Sequence, residues 1–486
     1  MSLTNGNGGR GEGGVAERQP DSVGWQDFGE RFDSGKRPNV IVFFTDQQRW
    51  DTTGVHGNPL GLTPNFDRLA ARGTHLEYAF TPQPVCGPAR ACLQTGVYAT
   101  TNGCYTNGIP LSTEWPTLAH YFNEAGYETG YIGKWHLAVT RDRPVPEELR
   151  GGYKSWLAAD ALEHTSDAYR TLLYDERNQP VRLPGYRVDA LADAAIRYVD
   201  KHKNDPFFLF LSFLEPHHQN HRDDYPAPES EIGKYISAWT PPDLASLVGT
   251  APQHLPGYYG MVKRLDEALG RVMDALRSLS LEEETIIVFT SDHGSHFKTR
   301  NNEYKRSCHD SSIRVPAAIG GGPFSRGGRI PELVSLVDLP PTLLDACGLG
   351  VPAHMQGRSV MPLLRGGGAA NWPREVFVQI SESQVGRAIR THRWKYAVTA
   401  PQAHPQRDEG AGRYLETELY DLYADPYELN NLAGLESHRG VADRLRDALL
   451  RRMAEAGETL PHIEPAAPLP SGQRLAKQGD GPVGWN

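Results

Sequence analysis

Short, unbroken apolar runs separated by amphipathic helical segments constrain this chain more than any other feature. VIVFF at 40–44, YI at 131–132, FFLFLSFL at 207–214 and IIVFT at 286–290 show almost no polar alternation, the pattern of strands buried on both faces. Between them, residues 117–125 carry Leu118, Tyr121, Phe122 and Ala125 on one helical face and stop at Gly126. Residues 189–202 behave similarly, and 258–279 repeat Val262, Leu265, Leu269, Val272, Leu276 and Leu279. Strands alternating with helices predict an α/β fold, a mainly parallel sheet covered on both faces. The stretch 1–36, rich in Gly, Asn and Glu, reads as a disordered leader, and 37–370 as the main domain. LLRGGGAANWPRE has linker composition. After it, 371–460 is expected as a small second domain, with strand-like segments at 375–380 and 394–399 and a helix presenting Val441, Leu445, Leu449 and Met453. Residues 461–486 read as a surface-wrapping or disordered tail.

With 39% hydrophobic and 22% charged residues over 486 positions, the chain can bury a large core. Its net charge of −9 and scattered Lys and Arg argue against a nucleic-acid partner. No window approaches the roughly 18 apolar residues that span a bilayer, so no membrane is expected. The start lacks a basic segment followed by an apolar one, which points to the cytoplasm; a trimmed signal would instead make the protein periplasmic or secreted. Five cysteines, an odd and sparse set, argue against a disulfide scaffold. The aromatics between Tyr153 and Tyr186 suggest a lid or rim.

Ligands of open α/β sheets bind at the carboxyl ends of the strands, so the residues just after each apolar run matter most. Those runs deliver Asp46 and Gln47; Lys134 and His136; Glu215, His217 and His218; and Asp292 and His293. A single Asp after a strand is more often a cap or turn residue, but four such clusters make that reading poor. Two carboxylates and an imidazole suit a divalent cation such as Ca²⁺, Mg²⁺ or Mn²⁺ better than zinc. Lys134, Lys305, His136 and His217 supply the positive charge and proton donors that a phosphate or sulfate ester needs. FTPQPVCGPARACLQTG places Cys86 at the start of a possible helix beside Arg90: a buried structural thiol, or a reactive thiolate.

Cys86-Gly87-Pro88-Ala89-Arg90 resembles the Cys-x-Pro-x-Arg signature of the type I sulfatases, in the alkaline-phosphatase-like superfamily. The resemblance extends through PNVIVFFTDQQRWDTTGVHG, GYETGYIGKWHL, SDHG, Lys305 with IRVP, and LYDLYADPYELNNLA, in the family's order. It implies a mixed, mainly parallel central sheet between helices and a smaller C-terminal α+β domain with an antiparallel sheet. It also implies that Cys86 is oxidised to 3-oxoalanine (formylglycine) by a formylglycine-generating enzyme. The hydrated aldehyde would attack sulfur with one hydroxyl and expel sulfate through the other. On the same grounds Asp46, Gln47, Asp292 and His293, with residue 86 itself, match positions holding one divalent ion, Ca²⁺ or Mn²⁺. Arg90 and Lys134 would hold the formylglycine and sulfate, and His136 would assist regeneration. His217 and Lys305 would bind sulfate and protonate the leaving oxygen.

Gln47 stands where many members have aspartate and His293 where many have asparagine. After Lys305 the usual family approach to the Arg-Val-Pro strand is replaced by Cys308-His309-Asp310-Ser311-Ser312. From composition, Glu303 and His309 are candidate contacts to sugar hydroxyls, as is His218, for which a core hydrogen bond is the equal alternative. The expected activity is hydrolysis of a sulfated saccharide or aryl sulfate. A phosphonate monoester or phosphodiester hydrolase on the same scaffold, and an inactive binding protein, are the alternatives.

Overall fold

The computed structural model describes residues 2, 37–325, 327–366 and 368–469. Apart from Ser2, the expected leader at 1–36 lies outside the described residues, as does 470–486 of the expected tail. In chain order the strands are β1 (Asn39–Thr45), β2 (Thr74–Phe80), β3 (Glu128–Lys134), β4 (Ser155–Ala159), β5 (Thr171–Asp175), β6 (Pro180–Leu183), β7 (Phe207–Ser212) and β8 (Thr285–Ser291). The short β9 (Arg314–Val315), β10 (Ala318–Gly320) and β11 (Gly328–Ser335) follow. Among the described residues these form one 11-stranded sheet in the order β11-β2-β10-β8-β1-β7-β3-β4-β5-β6, with β9 on β2. The centre, β8-β1-β7-β3-β4, is parallel throughout, and antiparallel pairs occur toward the margins.

Strand geometry explains why the central runs are apolar without alternation. Val40, Val42 and Phe44 of β1 enter one core, while Ile41 and Phe43 enter the other, so both faces are buried. The first core is capped by the helices Cys86–Thr95, Leu118–Glu124 and Leu339–Ala346. The second is capped by Pro64–Arg72, Arg187–Lys201 and the 28-residue helix Ala251–Ser278. This last helix begins a full turn and more before the expected start at 258. Pro252, Pro256 and Gly257 obscure it in sequence, and Gly257 is needed because a Cβ there would stand 2.3 Å from the Tyr225 carbonyl oxygen.

A second sheet orders β12 (Glu375–Ile380), β13 (Gly386–Thr391), β14 (Trp394–Thr399), β15 (Arg413–Asp421) and β16 (His462–Glu464). The first four pair antiparallel, and β16, inside the stretch expected as tail, adds parallel to β15. The helix Arg439–Glu455 packs Leu445, Leu449 and Met453 against Phe377, Ile389 and Tyr396. Cys92, on the far side of the helix that Cys86 opens, joins the same cluster. The small sheet therefore braces that helix from behind. The aromatics expected as a lid are partly core: Tyr153 and Trp156 are buried against Tyr131 and Trp135.

Candidate active site

The carboxyl ends of β1, β3, β7 and β8 deliver their polar residues to one point, and the helix Cys86–Thr95 aims its first residue there. A helix amino terminus carries partial positive charge and suits an anion or a thiolate at that position. Cys86 Sγ lies 2.8 Å from Lys305 Nζ, 3.3 Å from His293 Nε2 and 3.6 Å from Asp46 Oδ1. Burial alone would raise the thiol, but the Lys134 and Lys305 ammoniums hold it well below its ordinary value.

Around it the charges interlock. Arg90 donates to Asp46 Oδ2 at 2.9 Å, to Ser212 Oγ at 2.7 Å and to the Lys134 carbonyl at 2.9 Å, and lies 3.2 Å from Asp292 Oδ2. Lys134 Nζ sits between Asp46 Oδ2 at 2.8 Å and Glu163 Oε1 at 2.9 Å. Burial and Cys86 both oppose the Asp46 carboxylate, yet Lys134, His217 and Arg90 together hold its pKa far below the usual range. Asp292 goes the other way, pushed up to about 6 by burial and then by Asp46. His136, at φ 57, lies 3.7 Å from Glu163, whose charge outweighs burial and raises the imidazole above its ordinary value. His217 Nε2 is 3.1 Å from Lys305 Nζ, and its Nδ1 is 2.6 Å from the His218 carbonyl.

The donors fit a divalent cation. Asp46, Cys86, Asp292 and His293 each offer a ligand atom within 4.8 Å of the others, and all four are buried. His293 Nδ1 lies 2.9 Å from the Gly294 carbonyl, which fixes the tautomer that leaves an Nε2 lone pair toward the carboxylates. Gln47 is held by its own N–H on Asp292 Oδ1 at 3.0 Å and by its amide N–H on Tyr225 Oη at 3.1 Å, leaving a buried Oε1 with no protein partner. Carboxylate and amide oxygens with one imidazole suit a hard or borderline ion.

A cavity of about 720 Å³ opens over this centre, lined by Cys86, His136, Glu163, His217 and Lys305 and rimmed by Asn107, Asp160, His218, Asn220, Glu303 and Glu382. The structure thus brings together every expected site residue except His309. His309 is 6% exposed, stands outside the cavity lining and lies against Tyr420 and Glu418 instead, because the irregular segment after Lys305, with Arg306 at φ 69, turns toward the small sheet. Sequence reasoning missed Glu163, Ser212 and Glu382. Glu163 follows β4, whose WLAA run is too short to stand out, and Ser212 was read only as part of an apolar run. Glu382 reaches the rim from beyond β12, where it accepts from the Asn107 backbone at 2.6 Å and pairs with Arg306 at 2.6 Å.

Gly133 shapes the approach to Lys134. It has φ +110, and a Cβ would lie 1.8 Å from the Ser212 carbonyl oxygen, at the carboxyl end of the β3–β7 ladder. Gly133→Ala is expected to cost at least about 2 kcal/mol from the backbone conformation alone. Urea unfolding that shows an unchanged midpoint would contradict this.

Two family models match the chain: the sulfatase model over residues 38–349, and the N-sulphoglucosamine sulphohydrolase C-terminal model over 302–455. The ulvan-active sulfatase of Formosa agariphila is 31% identical over 449 residues, covering 88% of this chain and 83% of that one. The N-acetylglucosamine-6-O-sulfatase of Bacteroides thetaiotaomicron is 25% identical over 478 residues, covering 82% and 83%. The solved structure of the sulfatase yidJ from Bacteroides fragilis superposes with a TM-score of 0.75 at 24% identity, covering 87% of this chain and 97% of that one, a likeness of fold.

Proposed function

The chain belongs to the sulfatase family and is a sulfuric ester hydrolase, and from that premise we propose that its substrate is a sulfated saccharide cleaved at residue 86. The observation that carries the reading is the cavity built directly over Cys86. Its volume far exceeds a sulfate group, and its rim offers amide, carboxylate and imidazole groups suited to sugar hydroxyls, with the Tyr304 ring 4.3 Å from that of His218 as an apolar face. The names of two relatives, an ulvan-active and an N-acetylglucosamine-6-O-sulfatase, support the same class.

Family members generally use a formylglycine and a divalent metal. When present, a formylglycine made from Cys86 by an oxidising enzyme supplies a hydrated aldehyde as nucleophile, and a divalent ion held by Asp46, Gln47, Asp292 and His293 supplies positive charge beside it. Every other task falls to side chains already in position. Lys134 and Arg90 neutralise the ester oxygens and keep Asp46 ionised. The His217–Lys305 pair, 3.1 Å apart, binds sulfate and gives the leaving alkoxide its proton. Asp292, whose carboxylate stands within the same set as residue 86, takes the nucleophile's proton. His136 on Glu163 assists release of sulfate. The His293 imidazole adds a borderline nitrogen donor to the oxygen set, which favours Mn²⁺ over Ca²⁺.

The test is a matched panel. A sugar 6-sulfate, an aryl sulfate, the corresponding phosphate monoester and a phosphonate monoester are assayed with protein stripped of metal and reloaded with Ca²⁺ or Mn²⁺. The proposal expects kcat/KM highest on the sugar sulfate, with Mn²⁺ restoring the most activity. A higher kcat/KM on the phosphonate with either ion overturns the substrate assignment.

A further inference from the structure

Away from the catalytic centre, where Cys308-His309 replaces the usual family approach to the Arg-Val-Pro strand, the structure builds a second cluster of soft and borderline donors. Cys308 Sγ is 3.1 Å from Glu418 Oε2, and His309 Nε2 is 3.2 Å from the same oxygen. All three ligand atoms lie within 4.8 Å of one another. We propose that Cys308, His309 and Glu418 form a structural site for a zinc-class divalent cation that clamps the Lys305 loop to β15.

Four observations carry this. The donor set of thiolate, imidazole and carboxylate is the one zinc selects, unlike the oxygen-dominated set around Cys86. Bonds of about 2.0–2.3 Å in tetrahedral geometry put ligand atoms roughly 3.3–3.8 Å apart, so the two short separations need only small adjustments. His309 is oriented as metal-bound histidines are: its Nδ1 lies 3.2 Å from Ser307 Oγ, itself 3.0 Å from Ser312 Oγ, leaving Nε2 to face the cluster. Of the neighbouring cations, Lys395 and Arg390 are both paired with Asp310, and Lys395 also with Glu428, while Arg300 is held by the Tyr427 and Glu428 carbonyls.

Access and geometry agree. Cys308 is fully buried, but the Glu418 side chain is 20% exposed and offers an entry path. Tyr420 Oη, 3.1 Å from His309 Nε2, or a solvent oxygen completes four-coordination. Binding releases the Cys308 thiol proton to solvent. Cys308 stands three residues after Lys305, and Glu418 sits within β15, so a cation here joins the loop bearing a catalytic-centre cation to the small sheet.

The test uses the full chain carrying Cys86→Ala, which removes the catalytic-centre thiol. The metal-stripped protein is titrated with Co²⁺ and then with Zn²⁺. The expected result is a sulfur-to-cobalt charge-transfer band that saturates at one equivalent and is displaced by Zn²⁺. Adding Cys308→Ser is expected to abolish the band and weaken zinc at least about 100-fold, more than loss of an outer-shell partner does. A folded Cys86→Ala protein that binds cobalt with no such band, or a band that survives Cys308→Ser, overturns the proposal. Should Cys308→Ser fail to fold, X-ray absorption at the zinc edge of the Cys86→Ala protein decides. One sulfur at about 2.3 Å supports the site, and a shell of nitrogen and oxygen alone refutes it.

Discussion

Cys86→Ala is expected to lower kcat on sulfate esters by on the order of 10⁵-fold while leaving the fold intact. Among the described residues, Cys86 alone stands at a helix amino terminus with Lys305 Nζ at 2.8 Å and the Asp46, Asp292 and His293 set beside it. Ser212, another nucleophilic side chain close by, is committed to Arg90 and to the Lys134 carbonyl, at 2.7 and 2.8 Å. Removing the side chain of a residue that is 1% exposed leaves a small void and takes from the Lys305 ammonium its partner at 2.8 Å, so a modest loss of stability, short of unfolding, accompanies the loss of rate. Steady-state rates on an aryl sulfate, with thermal unfolding of the same samples, check both halves. Retention of more than a few per cent of the activity would place the nucleophile elsewhere.

Lys134→Ala is expected to fail in both respects. Lys134 is fully buried, and its ammonium serves Asp46 and Glu163 at once. Burial disfavours its charge, but Asp46, Cys86 and Glu163 more than compensate and hold its pKa above the ordinary lysine value. Truncation leaves two buried carboxylates short of a partner, a loss of about 3–5 kcal/mol when one member of a buried ion pair is deleted. It also removes a cation from the sulfate oxygens, for which roughly 10²–10³-fold in kcat is the expected cost. Denaturant unfolding together with kcat would show it. A variant as stable as the parent would mean that Arg90 alone satisfies Asp46 and that Glu163 is indifferent.

Much of this was readable before any coordinates, for physical reasons that also explain the misses. β1, β3, β7 and β8 are central strands buried on both faces, so their runs are apolar without interruption, and the residues following them are the site. β15 was invisible because RYLETELYD carries charges that a lone strand would expose; in the fold Glu416 pairs with Arg439 and Asp421 with Arg393. His309 looked like a pocket residue through closeness in sequence to Lys305, yet four residues of irregular chain, with Arg306 at φ 69, suffice to send it to another part of the fold. Tyr153 and Trp156 looked like a rim because aromatics serve both surfaces and cores. Only the stacking of Tyr131 against Trp156 and Phe210 decides for the core. Glu163 carries no local signal at all, since its significance lies in two partners, Lys134 and His136, distant in sequence.

The central claim is that residue 86 acts as an oxidised cysteine at the meeting point of these strands. Peptide mass spectrometry across Cys86, on protein produced with and without a formylglycine-generating enzyme, tests it most directly when the converted fraction is compared with specific activity on a sulfate ester. The account predicts an aldehyde in place of the thiol and activity that rises in proportion to it. Full sulfatase activity from protein whose Cys86 thiol is intact would contradict it.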